Sequence, residues 1–160
     1  MLRFLGAFVV AGCLTSCSGS TQADSSGVGA ALDSLLALHA QHAVREDIDA
    51  VLDIYTEDAI IRSNQKEPIR GHAALRAFFT EVFRNVDTRS LTYRTEEVAV
   101  HGDSAWQIAT YERTTQPLGQ PEETDRGSII ALWIRDAAGA WRIHQDAVNS
   151  SMPITAPFSP

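Results

Sequence analysis

The feature that most restricts the fold is a change of hydrophobic period near Asn85. Before it, apolar residues recur at helical spacing. Leu32, Leu35, Leu36, His39 and Ala43 share one face, which predicts a helix over 30–44. Asp47 is placed to cap a second helix, in which Ile48, Val51, Leu52 and Tyr55 repeat the pattern. Thr56-Glu57-Asp58 interrupts it, 59–62 is a short strand, and a polar turn runs through Pro68. A third helix follows Gly71, over 72–84, with Leu75, Phe78, Phe79, Val82 and Phe83 on its apolar side. After Asn85 the period is two. Strands are expected over 90–100, 104–116, 125–135 and 140–149. Helices first and strands after make an α+β domain: three N-terminal helices on one side of a curved antiparallel sheet. Strong curvature would enclose a cone-shaped pocket between them.

The N-terminus suggests export. Arg3 precedes an apolar run over 4–14, too short for the roughly 20 residues a membrane-spanning helix needs. Leu14-Thr15-Ser16-Cys17 resembles the lipobox of bacterial lipoproteins, in which the cysteine is acylated. Val10-Ala11-Gly12-Cys13 fits the same pattern but leaves a very short apolar region. The resemblance implies a signal peptide over 1–16 and a lipid anchor at Cys17, holding the protein at the cell-envelope membrane. A Ser- and Gly-rich tether over 17–29, the folded domain over 30–150 and an irregular tail over 151–160 follow. Cys13 and Cys17 are the only cysteines, so the domain itself has no thiol chemistry. The net charge is -7, and no stretch concentrates lysine or arginine, so a nucleic-acid partner is not expected.

The chain resembles the SnoaL-like group of the nuclear transport factor 2-like superfamily. The resemblance rests on Tyr55-x-x-Asp58-Ala59, on Ile69-x-Gly71-x-x-Ala74-Leu75-x-x-Phe78-Phe79, and on 131–135 with 141–146. It implies the cone-shaped α+β fold and a homodimer formed through a sheet face. It leaves function open, because the fold serves enzymes and binding modules alike. Ketosteroid isomerases of this fold need a carboxylate base and two oxyanion donors, a tyrosine and a protonated acid. An ungapped overlay puts Ser63 at the base, His39 at the tyrosine and Ala131 near the acid, so steroid isomerisation is not expected.

The overlay places His39 in the cavity, as donor or base; otherwise it is a core histidine with a hydrogen-bond partner. His144 and Asp146 are two apart on the last strand and should share a face. The alternation alone makes the Trp141 and Ile143 side core; the resemblance implies the reverse, with a His144–Asp146 pair facing the cavity as base and orienter. Trp106, Ile108, Thr110 and Glu112 share a face of the long strand, which the overlay turns inward. Glu112 would then be a carboxylate among apolar neighbours, or else a rim residue paired with Arg113 or Arg126. Tyr55, Phe79, Ile129 and Trp133 are core or pocket wall. Spacing for a metal site is missing, and no cofactor motif appears. Two functions remain: a module holding a small apolar or amphipathic molecule, and a cofactor-free lyase, isomerase or hydrolase using His39, Glu112, His144 or Asp146 as acid or base.

Overall fold

The computed structural model describes residues 21–64 and 66–152, with side chains from Ser26 onward. Cys17, the expected signal segment over 1–16 and the residues beyond 152 lie outside the described residues. Helix α1 runs Thr21–Val44 and begins nine residues before the expected start, so residues 21–29 of the expected tether are helical. Its buried stripe reads Val28, Leu32, Leu36 and then His39, Ala40 and Ala43. Among the described residues, no helix is long and apolar enough to cross a membrane. The helix stops in a left-handed turn at Glu46 (φ 57°), where the Glu46 amide donates to Ala43 O and the Asp47 amide to His42 O. The Asp47 side chain then accepts from the Ala50 amide and starts α2, Ile48–Leu52.

Tyr55 does not continue α2, as its spacing suggested. It is the first residue of β1, Tyr55–Ser63, because parallel pairing with the last strand captures the chain: the Ile143 amide donates to Ile54 O at 2.8 Å. Strand β2 (Ile69–Arg70) is a two-residue return on β1 that the polar sequence there did not announce. Helix α3, Gly71–Asn85, buries Leu75 and Phe79 and runs directly into β3, Val86–His101. Strands β4 (Ser104–Pro117), β5 (Glu123–Arg135) and β6 (Trp141–Ser150) complete an antiparallel meander. The sheet order is β2-β1-β6-β5-β4-β3. The sheet is thus mixed rather than antiparallel, since β1 lies parallel to β6.

The core sits between the helices and one sheet face. Ala105, Gln107, Ala109 and Tyr111 of β4 face it, with Ile129, Ala131 and Trp133 of β5. The three alanines here leave room for the helices and for the fully buried Trp133. Trp106, Ile108, Thr110 and Glu112 therefore occupy the other face, opposite to the overlay's expectation, and Trp106 is 45% exposed. Trp141 and Ile143 pack into the core, so they do not supply an exposed face for pairing with a second subunit.

Candidate functional site

Three elements bring polar side chains together inside the core. His39 comes from the buried stripe of α1, Tyr55 from the start of β1 and Asp146 from the middle of β6; all three are buried. The Tyr55 hydroxyl donates to Asp146 Oδ2 at 3.2 Å. A phenol has one proton, so the same oxygen can only accept from His39 Nε2, at 3.4 Å. Neutral His39 then has Nδ1 free to accept the hydroxyl of Tyr93, at 3.2 Å. The chain Tyr93, His39, Tyr55, Asp146 is therefore directional, each member donating toward the carboxylate. The Phe79 ring flanks it, with Tyr55 and Phe79 centroids 6.3 Å apart, and within it His39 and Tyr93 are 6.0 Å apart.

Burial sets the protonation of this cluster. It pushes Asp146 up to about 6, partly offset by the hydrogen bond from Tyr55. It pulls His39 down to about 4, with the neighbouring charge of His42 adding to the effect. Tyr55 and Tyr93 are raised by burial and by the carboxylate of Asp146. Asp146 Oδ1 is buried and makes no hydrogen bond among the described residues. A buried acceptor without a donor is costly.

His144 is not Asp146's partner. A bulge opposite Leu132 and Trp133 inserts His144 as an extra residue in β6, so that Ile143 and Asp146 face the core while His144 turns aside. Its Nδ1 lies 3.1 Å from Thr56 Oγ1 and 3.4 Å from Asp58 Oδ1, at the partly exposed start of β1. Thr56 and His144 together hold the Asp58 carboxyl below its usual value. Glu112 forms a surface ion pair with Arg126 at 2.7 Å, and Trp106, Ile108 and Thr110 line the same outer face. Ile129 and Trp133 belong to the core wall, where Trp133 Nε1 donates to Gln107 Oε1 at 2.9 Å. Tyr93 was missed in the sequence. Its alternation with Leu91 and Thr95 on a strand facing α1 was the only signal.

Tyr93 also connects the cluster to the surface. A groove of about 720 Å³ runs between α1 and β3, and the Tyr93 ring lines it together with Leu36, Ala37, Ala40 and Leu91. Its volume lies within the range of small-molecule sites, roughly 300–1,000 Å³.

The SnoaL-like domain model matches residues 36–147, which carry α1 from Leu36 onward, strands β1 to β5, most of β6 and the buried cluster. The chain belongs to the SnoaL-like family. Solved structures share the fold. A ketosteroid isomerase-like protein from Erwinia carotovora atroseptica is 21% identical, with a TM-score of 0.70 over 78% of this chain and 96% of that one. A conserved protein from Planctomyces limnophilus is 15% identical, with a TM-score of 0.72 over 78% and 97%. A protein provisionally named an aromatic ring hydroxylase, from Novosphingobium aromaticivorans, is 28% identical, with a TM-score of 0.67 over 78% and 89%. No curated protein is significantly similar to the chain. SnoaL-like domains share the architecture while differing in chemistry, so the family leaves this member's function to its own residues.

Proposed function

We propose that this SnoaL-like domain binds a small apolar or amphipathic molecule between α1 and the sheet, without steroid isomerase activity. The observation that carries the reading is the meeting of a ligand-sized groove with the buried hydrogen-bonded chain at one residue, Tyr93. Apolar side chains supply the contact area and a few converging polar groups supply orientation, the usual composition of such sites. The test is native mass spectrometry of the protein as isolated from its own cells. Wild type should carry an adduct that Ala37→Trp, which fills the groove, has lost. A wild type without adduct, or an adduct that survives in Ala37→Trp, refutes the reading.

A second reading is acid–base catalysis, which requires a molecule to reach past Tyr93 to Asp146, because Asp146 does not itself line the groove. It is favoured by the unpartnered Asp146 Oδ1 on a carboxyl pushed up to about 6, close to the range of an effective general base. Deuterium exchange into a carbon acid bound at the site, followed by NMR, tests it: exchange should stop in Asp146→Asn. Two properties of the whole protein belong to the same proposal. Acylation of Cys17 would fix the domain to an envelope membrane, and Cys17→Ser should then leave the membrane fraction or remain unprocessed. A homodimer would cover the outer sheet face, where Trp106 and Ile130 are exposed beside Ile108 and Leu132.

A further inference from the structure

The groove has a direction. At one end Asp33 of α1 is tied to β3 and β4: it accepts from Thr95 Oγ1 and, at 3.0 Å, from Gln107 Nε2. Midway, His39 meets Tyr93. From Asp33 to Arg45 the helix climbs roughly 18 Å, and from Thr95 back to Arg89 the strand covers about 20 Å. Two arginines, Arg45 and Arg89, therefore stand together at the end opposite Asp33, and both line the groove.

Arg45 differs in its surroundings from most of the other arginines. The protein has 20 acidic residues against 13 Lys and Arg, and most described arginines hold a carboxylate. Arg89 is shared between Asp87, at 2.9 Å, and Gln116. Arg45 makes no side-chain hydrogen bond or ion pair among the described residues; only its backbone amide is engaged, with Gln41 O. An exposed guanidinium without a partner, at the mouth of an apolar trough in an acidic protein, is complementary to an anion with an apolar body. The opposite end cannot take that anion, because the Asp33 carboxylate occupies it.

We infer that the groove selects an anionic amphiphile, a carboxylate with a compact aliphatic or aromatic body. The carboxylate sits on Arg45, with Arg89 beside it, and the body lies along Ala37, Ala40, Leu91 and Tyr93. This rests on the groove being the ligand site, and it adds the charge and orientation of the ligand.

Calorimetric titration of the full chain with decanoate and with decanol, both below micelle formation, separates the two claims. Decanoate should bind roughly tenfold more tightly than decanol, the scale of a charge-assisted contact. Arg45→Gln should abolish that preference, and Arg45→Lys should keep most of it. Equal binding of the two probes, both lost in Ala37→Trp, overturns the anionic class while the groove survives as the site. Failure of both probes to bind wild type removes the groove as well. If decanoate binds only after residues 153–160 are deleted, the chain's own tail is the occupant, and the inference fails.

Discussion

Replacing Asp146 by Asn keeps the shape of the buried cluster and removes its ionisation. The native carboxyl is pushed from 3.8 to about 6 by burial. At 1.36 kcal/mol per unit, this corresponds to roughly 3 kcal/mol. The sign follows from proton binding. Between about pH 4 and 6 the folded protein holds this proton and the unfolded chain does not, so stability from this group falls as pH rises through that window. Below it the penalty is absent, and above it the penalty is complete. His39 acts in the opposite sense. Its value is lowered from 6.5 to about 4, so its contribution is lost as pH falls through that range. The two slopes oppose each other in wild type and conceal both groups. The difference between Asp146→Asn and wild type cancels the His39 slope. Urea unfolding at pH 4, 5, 6 and 7 should show this difference shifting by about 2 kcal/mol in favour of the variant, since the unfolded carboxyl is already partly ionised at pH 4. The buried amide adds a constant cost of about 1–3 kcal/mol at every pH, so the shift and not its zero is the readout. A difference that stays level within about 0.5 kcal/mol across this range would mean that Asp146 titrates like a solvated acid, and the argument for its special character would fail.

Three further outcomes are expected. Gly127→Ala should destabilise the domain by about 3 kcal/mol or more in urea unfolding, because a Cβ there overlaps the Asn149 carbonyl and comes within 2.8 Å of the Tyr111 ring. Glu112→Ala should change stability by less than about 1 kcal/mol, as its partner Arg126 is solvated, and a larger loss would place it in a buried network. If the outer sheet face pairs two copies, Trp106→Glu should sediment as a monomer at concentrations where wild type is a dimer; a monomeric wild type refutes the pairing.

Much of the fold was legible in periodicity, because helices and strands that bury one face advertise it. Leu32, Leu36, Leu75 and Phe79 fall in the core at the positions their spacing gave. What periodicity could not supply was partnership. Nothing local in Tyr55 distinguishes a last helical turn from the first residue of a strand. The decision is made by β6, whose Ile143 lies 88 residues beyond Tyr55 and whose edge accepts β1 in parallel. The start of α1 was misjudged for a related reason: a stretch of Ser, Ala and Gly has weak preferences, and contact of Val28 with the core outweighs them. The two faces of β4 were equally ambiguous. Both carry apolar residues, and the deciding feature is size. Ala105 and Ala109 admit the helices, while Trp106 and Ile108 would exclude them.

The site was half legible, and one extra residue accounts for the other half. Strand alternation groups His144 with Asp146 only while the strand is regular. The bulge at His144 breaks that count and delivers Asp146 to the same side as Ile143. Without it, Asp146 would point away from Tyr55 and His39, and the directional chain could not form. The bulge is therefore the device that gives an apolar core a carboxylate. That placement is energetically unfavourable, as its raised value records. Strand packing would be better served by a valine or an isoleucine at this position. The fold instead directs an ionisable group inward, hydrogen-bonds one of its oxygens and leaves the other without a donor among the described residues. His39 strengthens the argument. It is held neutral, with both ring nitrogens committed, so the hydrogen bonds run in one order from Tyr93 to Asp146.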